Sequence, residues 1–206
     1  MGESRLLPLF PLEVVLFPGR SLPLHIFEPR YRSMVGQAAE QKSEFGVILV
    51  SQGKLASAGC TAVVERVTER YDDGRFNVET RGVRRFRPLS LDDSQPHLQA
   101  EVAFFDDQPG PAPDAALLER VNGLASELAR LARVAPPDAP DPKLAQPSFQ
   151  VAHALPLELS FKQKLLASLS EAERLAELSE YLLEQIERLK RTRRVQRLAG
   201  TNGKAH

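Results

Sequence analysis

The sequence predicts an α+β protein. A β-rich first half with one early helix closes into a small barrel, and an all-helical second half follows. Three observations carry this. Up to about Asp106, apolar and β-branched residues recur in short runs, split by proline, glycine and aspartate. From about Asp114 leucines recur three and four apart, the period of a helix. Between the two lies Asp-Asp-Gln-Pro-Gly-Pro-Ala-Pro at 106–113, a linker by composition. The expected organisation is a β-barrel over 1–106, a helical subdomain over 114–195 and a disordered tail over 196–206.

The first element is the proline-punctuated stretch 7–31. Proline fixes φ and removes a backbone donor, so no helix can run through it. Each residue before a proline is pushed to extended geometry. Short strands broken by turns result, with Phe17-Pro18-Gly19-Arg20 as a tight turn. After Pro29 the spacing of Tyr31, Met34, Val35, Ala38 and Ala39 predicts a helix that ends near 41–43.

Strands follow. Residues 45–50 form an apolar, β-branched run typical of a buried strand. Gln52-Gly53 marks a turn. Residues 59–71 alternate, with a change of face near Glu65-Arg66 that predicts a bulge. Asp72-Asp73-Gly74 predicts a hairpin with a primed turn. Residues 75–83 return as its partner strand. Gly82 inside that strand marks a bulge or a close approach of another backbone. Residues 85–91 and 98–105 make two more strands.

The helical half begins with Asp114 as a cap and Leu117, Leu118, Val121, Leu124, Leu128 and Leu131 as one apolar stripe. Residues 135–142 are a second Pro/Asp-rich break. Short helices are expected over 148–155 and 160–169, the latter with Gln163 closing a capping box. Ser170-Glu171-Ala172-Glu173 opens the last helix, striped by Leu175, Leu178, Leu182, Ile186 and Leu189. Acids crowd its start and bases its end, which complements the helix dipole.

Composition excludes several classes. Lys+Arg and Asp+Glu both total 27, so no net field attracts nucleic acid or anionic lipid. The single cysteine, Cys60, has no disulfide partner in the chain and reads as a buried, inert thiol. No leader-like or membrane-spanning segment is legible, and a cytoplasmic location is expected.

The opening blocks Leu7-Pro8-Leu9-Phe10-Pro11-Leu12, Val14-Val15-Leu16-Phe17-Pro18-Gly19 and Leu22-Pro23-Leu24-His25-Ile26-Phe27-Glu28-Pro29-Arg30-Tyr31 resemble the amino-terminal, substrate-binding domain of Lon proteases. Further matches follow in order: Phe45-Gly46-Val47-Ile48-Leu49, Gly59-Cys60-Thr61-Ala62, Asp73-Gly74-Arg75-Phe76 and Arg81-Gly82-Val83-Arg84-Arg85-Phe86. The resemblance spans roughly 5–191. It implies a PUA-like β-barrel followed by a helical bundle. It also implies non-catalytic recognition of unfolded or hydrophobic polypeptide in protein quality control. A separate ATPase or protease is the implied partner, and binding is expected in a cleft between barrel and helices and at a sheet edge.

The residues themselves suggest no catalysis. Gly53-Lys54 and Gly203-Lys204 both lack the first glycine of a phosphate-binding loop. No length remains for a peptidase module. The four histidines are isolated from other metal ligands, so no metal or cofactor is expected. His25 reads as a core or rim histidine. The paired aspartates fall in turns. Two constellations remain: 27–31, where strand gives way to helix, and the basic strand 81–87. One reading ties them structurally, Glu28 pairing with an arginine of that strand. The functional reading makes Phe17, His25, Phe27, Glu28, Arg30, Tyr31, Arg84 and Phe86 the rim of a peptide groove. The alternatives are an RNA-binding barrel, helped by the basic run 188–197, and an adaptor for an ATPase or ligase. The zero net charge and the absence of aromatics in that basic run disfavour RNA.

Overall fold

Alternation along the first strand sets the architecture. The computed structural model describes residues 4–110, 114–137 and 146–202, with backbone alone for residues 4 and 195–202. Strand β1 (Ser4–Leu12) pairs parallel with β3 (Phe45–Ser51) and antiparallel with β6 (Gln99–Phe105). Strand β4 (Lys54–Arg70) joins β3 to β5 (Phe76–Asp92), and β5 also pairs with β6. The five strands β5, β4, β3, β1 and β6 therefore close into a ring. Strand β2 (Ser21–Ile26) pairs with β5 alone among the described strands and forms an edge. A parallel pair needs a crossover. Here β2 and the helix α1 (Pro29–Gln41) supply it between β1 and β3.

Odd residues of β1 point into the ring. Leu7 and Leu9 meet Ile48, Phe86, Ala100 and Val102 there, all at most 1% exposed. Even residues point outward, where Phe10 stacks on Tyr31 of α1 at 4.2 Å between ring centroids. The helix buries Tyr31, Met34, Val35 and Ala38, as its spacing predicts, and Pro29 occupies its first turn.

One long strand replaces the two expected around Gly82. Cys60 faces Arg85 and Ala62 faces Gly82, so β5 carries an extra residue there and bends from its β4 pairing into its β6 pairing. Gly82 is also a close approach. A Cβ on it would lie 2.2 Å from the Phe17 carbonyl oxygen. The Gly19 N–H donates to the Gly82 carbonyl at 2.8 Å, and the Gly82 N–H donates to the Arg20 carbonyl at 2.9 Å. The bulge expected near Glu65-Arg66 is present between Val64 and Arg66. The hairpin at 71–75 differs from expectation. Only Gly74 has positive φ, at 84°, and its N–H donates to the Tyr71 carbonyl. That is an unprimed turn closed by a left-handed glycine, which a three-residue loop accommodates better than a primed turn.

The remaining helices are α2 (Ala115–Ala132), α3 (Pro147–Ala154), α4 (Leu159–Ala167) and α5 (Glu171–Asn202). Asp114 caps α2 by accepting from the Ala116 N–H. Ser170 Oγ accepts from the Glu173 N–H at the start of α5. The capping box expected at Gln163 does not form. Residue 158 is the cap of α4, and Gln163 instead donates to the Ala58 carbonyl of β4.

The chain forms two compact units that a single cut does not separate. The first holds residues 1–108 and 157–169; the second holds 109–156 and 170–206. Helix α4 therefore belongs with the strands, whereas the sequence places it with the other helices. Arg85, 1% exposed, shows why. It donates to the Leu166 carbonyl and pairs with Asp107 at 2.6 Å, a buried charge satisfied by α4 backbone and the end of the β-rich segment. Within the second unit, Arg174 is buried against Glu171 at 2.6 Å, and Ser148 binds both carboxylate oxygens of Glu171. The tail expected from 196 is helical to 202; residues 203–206, like 111–113 and 138–145 in the two linkers, lie outside the described residues.

Candidate functional site

An open groove of about 510 Å3 lies on the first unit. Its floor is Phe10, Pro11 and Leu12 of β1; one wall is Leu24 and His25 of β2, and the other is Glu28, Arg30 and Tyr31 at the start of α1. Phe27 and Leu98 complete it. The local sequence explains the shape. Prolines 11 and 29 keep the chain out of continuous helix, and Phe10 and Leu12 make the outward face of β1 apolar at this end. Phe27 is 58% exposed, an unusual position for a phenylalanine beside an aromatic cluster.

His25 is held by a polar relay. The Asn77 amide nitrogen donates to Glu69 Oε2 at 2.8 Å and to the Tyr71 hydroxyl at 3.1 Å, so its oxygen faces His25. That oxygen lies 2.6 Å from His25 Nδ1, which makes Nδ1 the donor. Nε2 is then the ring atom left for a groove occupant. The imidazole also stacks on Phe27 at 5.9 Å. The hydrogen bond from Tyr71 to Glu69 pushes the Tyr71 hydroxyl above its usual pKa. Burial does the same to Tyr31, partly offset by the Arg30 charge.

The structure gathers His25, Phe27, Glu28, Arg30 and Tyr31 into the groove. The other three expected residues are elsewhere. Phe17 and Phe86 are both 0% exposed and cannot touch a ligand. Phe86 fills the ring, where Gly46 and Gly59 leave room for its ring edge. Phe17 is seated by the turn against Gly82. Arg84 pairs with Glu44 at 3.0 Å and lies 3.7 Å over the Phe104 ring, outside the groove lining. Glu28 does not reach the basic strand either. It pairs instead with Arg30 at 2.8 Å, from the extended position it holds as the cap residue before α1. Arg30 in turn lies 4.6 Å over the Tyr31 ring. Phe10, Pro11, Leu12, Leu24 and Leu98 also line the groove and were not among the expected residues. The period-two outward face of β1 was the signal for Leu12; Leu98 carried none.

Among the described residues no group of three histidine, cysteine, aspartate or glutamate side chains is placed to hold a metal ion. Burial pushes the Cys60 thiol up to about 12, which removes its nucleophilic form at neutral pH. No helix among the described residues is long and apolar enough to cross a membrane.

The family model described as the ATP-dependent protease La (LON) substrate-binding domain matches residues 6–184. The chain belongs to this family. A Lon N-terminal domain protein from Xanthomonas campestris is 28% identical, with a TM-score of 0.65 over 84% of this chain and 96% of that one. The N-terminal domain of a Mycobacterium avium complex Lon protease has a TM-score of 0.64 at 18% identity, over 86% of this chain and 98% of that one, and supports the fold alone. The Lon protease of Parabacteroides distasonis is 30% identical over 110 residues, which are 49% of this chain and 13% of that protein. This chain spans a quarter or less of the length of the curated Lon proteases it matches.

Proposed function

We propose that the groove on the first unit of this Lon substrate-binding domain receives unfolded or hydrophobic polypeptide segments for protein quality control, in association with an ATPase or protease. The observation that carries this is the exposed Phe27 beside an aromatic-lined groove at the flank of edge strand β2. An extended peptide can bury apolar side chains there while its backbone pairs with a free strand edge. The membership of the Lon substrate-binding family supports polypeptide as the occupant. The Glu28–Arg30 pair leaves that end of the groove without net charge, which suits apolar segments.

The test is fluorescence anisotropy with a labelled unfolded peptide and a labelled single-stranded RNA, each over a salt series. Apolar burial is not screened by salt, so peptide binding persists at moderate ionic strength. Phe27→Ala should weaken it about tenfold, the loss expected for one aromatic anchor. Tight RNA binding at physiological salt with no peptide binding would replace this reading with an RNA-binding one.

A further inference from the structure

A second pocket, of about 340 Å3, adjoins the groove and is built from the next residues of the same three elements. On β1 the outward residues Phe10 and Leu12 line the apolar groove, and Leu6 and Pro8 line the second pocket. On α1 the first turn lines one and Met34, Gln37 and Gln41 line the other. At the start of β6, Leu98 lines the groove while His97 and Gln99 line the pocket. The rings of Phe10 and Phe45, one from each lining, are 6.5 Å apart. Those rings are buried, so the contact lies beneath the surface; the linings themselves place the two cavities one after the other along β1 and α1, and together they outline one track.

The halves differ in chemistry. Among the described residues, the side-chain amides of Gln37, Gln41, Gln95 and Gln99 make no hydrogen bond within the protein, though all four line the second pocket. Each offers a donor and an acceptor, the complement of a peptide group. Two charged side chains line it, Arg5 and Glu44. Glu44 is neutralised by Arg84, whereas Arg5 has no ion pair among the described residues. Burial lowers the pKa of His97, which favours the neutral ring. The length is that of a short extended segment. Helix α1 has 13 residues. At 1.5 Å per residue it spans about 20 Å, and roughly six extended residues cover that distance.

We propose that this track binds an extended peptide of about six residues, with an apolar side chain in the aromatic half and an acidic side chain in the glutamine-lined half near Arg5. This rests on the peptide-binding reading above and adds the length and pattern of the segment. It makes the glutamines specificity-determining residues: they hold the backbone of the far half of the peptide and do not touch the apolar anchor.

The experiment uses the full chain and three kinds of labelled peptide: an apolar tripeptide, longer peptides with a phenylalanine and a glutamate about five residues apart in either order, and the same longer peptides with lysine for glutamate. The glutamate peptide should bind at least about tenfold tighter than the tripeptide. Gln37→Ala with Gln41→Ala should remove most of that gain and leave the tripeptide unchanged. Arg5→Glu should reverse the preference between the glutamate and lysine peptides. Both glutamines are exposed, so a changed melting temperature is not expected to confuse the result. If the tripeptide binds but the longer peptide gains nothing, or its gain survives the glutamine double variant, the track is refuted and the groove reading stands. If no peptide binds, the groove reading itself is refuted.

Discussion

Gly82→Ala should be among the most damaging single-methyl changes in the protein. The added carbon would lie 2.2 Å from the Phe17 carbonyl oxygen, 3.0 Å from the Phe17 carbonyl carbon and 3.1 Å from Cys60 Sγ. Two of these are backbone atoms and cannot rotate away. Relief requires residues 17–20 to move off β5 by about 1 Å, which breaks the two backbone hydrogen bonds that join Gly82 to Gly19 and Arg20. Those are worth roughly 1 kcal/mol each. Overpacking a close-fitted site adds about 1–3 kcal/mol, for a total near 3–5 kcal/mol. In a chain of this size each kcal/mol moves the melting temperature by roughly 2–4 °C, so a fall of at least about 6 °C is expected. The assay is thermal unfolding of Gly82→Ala beside Gly36→Ala, whose added methyl meets nothing within 4 Å. If both variants melt together, the clasp between the turn and β5 is not what closes this side of the ring.

Gly123→Ala on α2 also meets open space, and should stabilise by up to about 1 kcal/mol in urea titration through helix propensity alone. Glu171→Ala removes the carboxylate paired with the fully buried Arg174 and two acceptors from Ser148; a loss of about 3–5 kcal/mol is expected from denaturant unfolding, and a near-neutral result would show the ion pair to be dispensable. Cys60 should resist a thiol reagent at pH 8 in the native protein and react at once in denaturant. Its folded pKa is raised to about 12 from 9.0, so its contribution to stability is whole below pH 9 and is lost as pH rises toward 12. Alkaline unfolding that is identical in Cys60→Ala would count against that linkage.

Much of the fold was legible because the signals were local. The turn at Pro18-Gly19 rests on proline presetting one φ and glycine accepting +70° at the next, and needs no knowledge of the rest of the chain. The cap at Asp114 and the buried stripe of α1 follow from helical spacing in the same way. Even the close approach at Gly82 was visible, since a glycine between β-formers has few other uses. Five of the groove residues were also legible, because they are consecutive or nearly so around one strand-to-helix transition.

What the tertiary structure alone decided involves residues far apart in sequence. Phe86 and Phe27 were both expected at the rim of the groove, yet one fills the ring and the other faces solvent. Their fates depend on Gly46 and Gly59, which leave room for Phe86, and on α1, which stops short of Phe27. Glu28 took a neighbour as partner and Arg84 took Glu44, choices that depend on which side chains the register brings within reach. Helix α4 reads as part of a helical subdomain by composition but joins the strands through Arg85 and Gln163. Local propensity specifies where an element begins and which face is apolar. It carries no information about which distant surface will cover that face, because that is settled only when the ring closes.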